Sequence, residues 1–122
     1  MPRVIHFEIN ADDTQRAAKF YRELFDWKIS RWNESSDYWL TESGTREEPG
    51  IDGGIQQREQ PSDSTVNVIG VDSIEEYLEK VPQLGGVVLT DIMPIPGVGW
   101  SAYCKDSEGN TFGLFQSDES AS

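Results

Sequence analysis

The pattern of apolar and polar positions along the chain occurs twice. Strand-like Val4-Ile5-His6-Phe7-Glu8-Ile9-Asn10 gives way to a helical pattern opening near Asp13. Thr65-Val66-Asn67-Val68-Ile69-Gly70-Val71 likewise precedes a helix opening at Ser73. His6 and Val66 stand 60 residues apart, as do Asp13 and Ser73. The chain therefore reads as two copies of one strand–helix unit.

The elements between these landmarks follow from local signals. Asp12 or Asp13 can cap the first helix, since either carboxylate can accept from its free backbone donors. Asp12 has Gln15 three residues on, as in a capping box, whereas the repeat favours Asp13. Ala17, Phe20, Tyr21 and Leu24 are predicted to form its buried face, and Asp26 to end it. Trp27–Trp32 alternates like a half-buried strand, Asn33–Ser36 is a polar turn, and Tyr38–Thr41 is the next strand. The stretch from Gly44 to Asp52 reads as a loop and Gly53–Gln57 as a short strand; Arg58–Ser64 connects the units. Ser73-Ile74-Glu75-Glu76 is a capping box, followed by the stripe Ile74, Tyr77, Leu78 and Val81. Pro82 should kink or end the last turn, and Gly85-Gly86 stops the helix. A strand beginning Val87–Thr90 is broken by Pro94, Pro96, Gly97 and Gly99 from the strand Trp100–Lys105. Asp106–Asn110 makes a hairpin turn into Thr111–Gln116, and the tail Ser117–Ser122 is expected to be mobile. This order is strand, helix, three strands, repeated: an α+β chain in which each helix covers one sheet face and leaves the other for a partner or ligand.

Composition narrows the functional classes. A chain of 122 residues fits one compact domain. A formal charge of −12, from 22 acidic and 10 basic residues, argues against nucleic acid as a partner, because the surface repels phosphate backbones. Solubility, a saline host or a positively charged ligand would each account for the acidity. No run approaches the roughly 18 apolar residues of a membrane span, so no membrane partner is expected. The N-terminal residues lack the apolar stretch of a secretory signal. Cys104 is the one cysteine; it precludes an intrachain disulfide and favours a cytoplasmic location.

Several short pieces, in order and spacing, carry a family resemblance. They are His6–Asn10 leading into Ala18-Lys19-Phe20-Tyr21, Phe25-Asp26-Trp27, Val71-Asp72-Ser73-Ile74, Leu84-Gly85-Gly86, Ile95-Pro96-Gly97-Val98-Gly99-Trp100 and Lys105–Asn110. Together they resemble the vicinal oxygen chelate superfamily, which includes glyoxalase I, extradiol dioxygenases and bleomycin-resistance proteins. The resemblance runs from about Val4 to Gln116 and implies a single domain over residues 1–122. Its two βαβββ modules, about 4–57 and 65–116, would curl one mixed sheet into a cup, and the expected partners are a second copy of the chain and a small molecule. Metal-dependent members hold a divalent ion with four inward side chains from the first and fourth strands of each module. His6 stands at one such place. Its repeat partner is Val66, the last-strand place falls on Gly113, and the matching strand of module one offers Gly53, Gly54 after a one-residue slip, or Gln56 after a larger one. Val66 and Gly113 offer no ligand atoms, so no metal ion and no other cofactor is expected.

The residues themselves supply candidate chemistry. His6 titrates near neutral pH, and Glu8, two residues on, shares its strand face, so the pair could act as acid and base or hydrogen-bond a ligand amine. Trp39, Trp100, Tyr103 and Phe115 are candidates to line an apolar cup, with packing in the core the competing reading for each. Cys104 reads as a buried, inert thiol. Three functions follow: a metal-free module binding a small, partly apolar molecule; an enzyme, lactoylglutathione lyase-like or dioxygenase-like, working through His6 and Glu8 with a reduced metal site; or a dimeric interaction protein whose cup its own aromatics close.

Overall fold

The computed structural model describes residues 2–122, which separate into two compact units. One is His6–Val66; the other joins Asn67–Ser122 to the first residues of the chain, through Ile5. These units coincide with the sequence repeat, apart from the start of the first strand.

In the first unit, β1 (Arg3–Ala11) leads into α1 (Thr14–Phe25), then β2 (Lys28–Arg31), β3 (Trp39–Glu42) and β4 (Asp52–Gln57). Strands β2, β3 and β4 pair antiparallel in sequence, and β4 pairs parallel with β1. The period of two divides each strand. Ile9 and Ala11 of β1, Ile29 of β2, Trp39 of β3 and Ile55 of β4 gather against Ala17, Ala18 and Tyr21 of α1. The alternate residues face away from the helix.

Asp13 caps α1, its carboxylate accepting from Arg16 N at 3.0 Å, as the repeat favours. Asp26 ends the helix in the left-handed region, at φ 60°. The buried face differs from the expected one. Thr14 and Ala18 are buried, whereas Phe20 and Leu24 are 57% and 58% exposed. A fully buried Ala18 brings the helix close to the sheet and sets its rotation, which turns Phe20 and Leu24 outward.

In the second unit, β5 (Val66–Gly70), α2 (Ile74–Gln83), β6 (Val87–Val88), β7 (Met93–Ile95), β8 (Gly99–Lys105) and β9 (Thr111–Ser117) follow in order. Strand β9 pairs parallel with β5 and antiparallel with β8. Ser73 caps α2 by accepting from Glu76 N at 3.4 Å, and Ile74, Tyr77, Leu78 and Val81 pack onto Ala102, Cys104 and Leu114. Pro82 lies in the last turn, one residue before the helix ends.

Two expectations are corrected here. The strand beginning at Val87 stops after two residues, and a separate β7, with Pro94 inside it, pairs with the other end of β8. Proline is tolerated there because β7 pairs only with β8 and has an outer edge that needs no donor. The C-terminal tail is also tied down. Asp118 N donates to Val98 O, Gly97 N donates to Ala121 O, and Ala121 is buried.

The rotation of α1 predicts opposite outcomes at two positions six residues apart. Ala18→Leu should lower unfolding stability by about 1–3 kcal/mol through overpacking, while Leu24→Gln should stay within about 0.5 kcal/mol. Denaturant melts of the two variants check this.

Candidate functional site

The face of the first unit that turns away from α1 carries the polar residues. Along the β1–β4 ladder, His6 stands opposite Asp52, Glu8 opposite Gly54, and Asn10 opposite Gln56. Leu40 of β3 pairs with Gly54 from the other side, so Tyr38, two residues earlier, shares this face. Gly53 has the opposite phase: a Cβ there would meet the Phe7 ring at 2.5 Å. Gly53 therefore points away from the His6 face, while Gly54 and Gln56, the other two places the resemblance offers, lie on it. Gln56, one rung further, donates to Asn10 Oδ1 at 3.1 Å. The repeat agrees with this phase, since Val68 stands opposite Gly113 as Glu8 stands opposite Gly54.

Tyr38 joins the two candidate residues. Its hydroxyl lies 2.7 Å from His6 Nε2 and donates to Glu8 Oε2 at 3.1 Å. The phenol ring is nearly parallel to the imidazole, with 11° between their planes, and meets Trp32 edge-on at 6.2 Å. Its backbone is fixed on both sides: Tyr38 N donates to Ser36 Oγ at 3.1 Å, and Tyr38 O accepts from Trp32 N at 2.9 Å. The residue before it, Asp37, accepts from Thr14 Oγ1 at 2.7 Å and so ties this loop to the start of α1.

Gly54 makes room for the phenol. A Cβ at this position would lie 2.1 Å from Tyr38 Cζ and Oη, so any side chain there would displace the tyrosine. Glu8 is buried at 7% exposure, and His6 and Tyr38 are half-buried. Burial lowers the pKa of His6, because it penalises the imidazolium; the charges of Glu8 and Asp52 oppose that shift without cancelling it.

These residues do not fit the four-ligand ion site that the resemblance implies. Among the described residues, no three His, Cys, Asp or Glu side chains form a group able to hold a metal ion. The place where a fourth-strand ligand would project from Gly54 is filled by an aromatic ring.

The four aromatic candidates divide between faces. Trp39 lies in the core under α1, donates from Nε1 to Thr14 Oγ1 at 3.1 Å, and has the Arg22 and Arg31 guanidinium carbons 5.6 and 5.5 Å from its ring. It borders an open groove of about 480 Å³, also lined by Arg16 and Lys19, on the helix side of the sheet and not on the face of His6. Trp100 packs with the core under α2 and donates to Asp118 Oδ2 at 2.9 Å. Both tryptophans therefore lie on the helix side of their strands and not on the face of His6 or Gly113. Tyr103 and Phe115 do face away from α2. Tyr103 stands beside Gly113, and the Phe115 ring covers Gly99. Cys104 is fully buried, and burial pushes its thiol pKa up, as suits an inert thiol. Tyr38 is the residue that sequence reasoning missed. Its parity with Leu40 places it on the polar face, but nothing near it in sequence points to His6, 32 positions away.

Paired strand–helix–strand units of this connectivity define an α+β protein with the glyoxalase/bleomycin-resistance/dioxygenase fold. The profile of the glyoxalase-like domain matches residues 6–115. A glyoxylase-like domain-containing protein from Didymella fabae is 32% identical over 113 residues, 88% of each chain. Two solved structures share the fold at a TM-score of 0.66. One is a glyoxalase/bleomycin resistance protein/dioxygenase superfamily member from Vibrio splendidus 12B01, at 11% identity over 95% of this chain and 99% of that one. The other is methylmalonyl-CoA epimerase from Mycobacterium tuberculosis, at 10% identity over 94% and 87%. The chain belongs to the glyoxalase-like domain family, within the vicinal oxygen chelate superfamily. No helix among the described residues is long and apolar enough to cross a membrane.

The lowered pKa of His6 has a direct readout, since the chain has one histidine. Its imidazole NMR signals should titrate below 6.5, the ordinary value. The unfolded chain then binds more protons than the folded one as pH falls through that value. Stability should therefore fall on acidification through this window, with no His6 contribution above it. A His6→Gln variant should lose that part of the pH dependence in thermal melts.

Proposed function

We propose that this protein binds a small, partly apolar molecule against the His6–Tyr38–Glu8 face and does so without the family's metal ion. The observation that carries this reading is the Tyr38 phenol, which occupies the space above Gly54 and engages its hydroxyl with His6, the one filled ligand place, and with Glu8 beside it. A buried carboxylate, a half-buried imidazole and a phenol offer directed hydrogen bonds, while Leu40 and Trp32 add apolar surface nearby. In the second unit, Val68 and Tyr103 flank Gly113 and leave the corresponding place equally without donors of the ion-binding kind.

Purified protein should carry no stoichiometric nickel, zinc, iron or manganese, and chelation should leave its thermal midpoint unchanged. Elemental analysis showing about one tightly held ion per chain, lost in His6→Ala, would overturn the metal-free reading. Small aromatic compounds should quench tryptophan fluorescence saturably. Binding should weaken by on the order of 1 kcal/mol in His6→Ala or Glu8→Ala, if each makes one hydrogen bond to the ligand.

An enzymatic reading has one specific observation in its favour. A His6 pKa below the ordinary value keeps the imidazole neutral, and able to take up a proton, at neutral pH. Solved neighbours named as methylmalonyl-CoA epimerases are compatible with such acid–base use of the fold. Exposed Phe20, Leu84, Val87 and Val88 support association of two copies. Sedimentation at micromolar concentration should give a dimer mass; a monomer mass would count against it.

A further inference from the structure

The hydrogen bonds around Tyr38 determine more than its position. A phenol has one proton to donate. Here that proton goes to Glu8 Oε2, so Tyr38 Oη can offer His6 only its lone pairs. The 2.7 Å contact with Nε2 then requires that Nε2 carry a hydrogen and donate it. In the neutral imidazole, the other ring nitrogen is left as an acceptor. Among the described residues, the His6 side chain has no hydrogen-bond partner besides Tyr38, and it is only half-buried.

We propose that Tyr38 is the positioning residue of this site: it holds His6 as the Nε2–H tautomer, so that Nδ1 accepts from an N–H or O–H group of the ligand. The ligand part of this statement rests on the binding function proposed above; the tautomer part does not. The inferred ligand class is a flat or apolar small molecule with a hydrogen-bond donor. Its aprotic isostere should be a poorer ligand because it leaves Nδ1 unpaired. Tyr38 can act in this way only while position 54 is glycine. A methyl group there would displace the phenol and release His6 from its fixed tautomer.

The tautomer is read directly from two-bond ¹H–¹⁵N correlations of the ring, above the titration range, with no assignment needed for a single histidine. Wild type should show the Nε2–H form in large excess. Tyr38→Phe keeps the ring and removes the acceptor, and should shift the population toward a mixture; Gly54→Ala should do the same. A dominant Nδ1–H form in wild type overturns the proposal without recourse to any variant, as does a Tyr38→Phe spectrum that matches wild type. Phenol and anisole then serve as matched probes, followed by the shifts of the His6 ring. Phenol should bind about fivefold more tightly than anisole, the equivalent of one net hydrogen bond. That preference should fall in Tyr38→Phe. Equal binding of the two overturns the donor-ligand inference while leaving the binding function standing. Binding of neither at millimolar concentration overturns both, and the tautomer measurement still decides the role of Tyr38.

Discussion

The β1–β4 rung at Glu8 and Gly54 has a side chain on one strand only, and the polar face of the first unit is organised around that asymmetry. With no Cβ at position 54, the Tyr38 ring can lie against the sheet and set its hydroxyl between an imidazole and a carboxylate. Each bond restrains the others. The phenol fixes the two β1 side chains relative to each other, and the loop bonds from Ser36 and Trp32 fix the phenol. Three buried or half-buried polar groups are thereby satisfied together, which removes the cost that any of them would carry alone in this environment. At the matching rung of the second unit, Val68 meets Gly113.

The opposite face of the same strands does the structural work. Alternation sends Ile9, Ala11, Trp39 and Ile55 to the helix side, where burial of apolar surface holds α1 against the sheet. Because β1 contributes both to that core and to the site, the position of His6 and Glu8 is set by the packing of their neighbours. Phe7 and Ile9 anchor the strand from below, and a one-residue slip would exchange the two sets. The indole N–H of Trp39 reinforces this coupling. It donates to Thr14, whose own hydroxyl donates to Asp37, next to Tyr38 in the chain. Core packing, the start of α1 and the site's central tyrosine are joined by a short chain of hydrogen bonds.

Much of this was legible in the sequence, and the parts that were not share a cause. The repeat located both helices and their caps, because capping is local: Asp13 and Ser73 bond backbone donors three residues on. Periodicity placed His6 and Glu8 on one face for the same reason. Side-chain direction in the remaining strands needed the strand phase, which depends on pairing partners far away in the chain. Gly53 against Gly54, and Trp39 and Trp100 beneath helices instead of facing a ligand, are the same one-residue question in three strands. Phe20 and Leu24 failed differently. Their spacing is helical, but the helix's rotation is decided by the close approach of Ala18, and a small residue leaves little trace in a hydrophobic pattern. The tail, polar and glycine-free, carries no local sign that Asp118 and Ala121 will bond to the β7–β8 turn.

The electrostatics of the site follow from the balance between burial and charge. Glu8 and Asp52 would each favour a protonated His6, yet desolvation outweighs them. Asp52 is exposed and opposite His6 on the neighbouring strand, so water screens its charge. Glu8 is buried and closer in the chain, but the Tyr38 hydroxyl lies between the two groups and already donates to its carboxylate. A neutral imidazole is therefore the form that this arrangement supports at neutral pH. Had Glu8 met His6 directly, the pair would have been drawn toward a charged imidazolium, with both ring nitrogens donors and no acceptor left for a ligand. Interposing a phenol keeps the carboxylate's charge at one remove and preserves a basic nitrogen, a property that neither His6 nor Glu8 would have from its own position in the sequence.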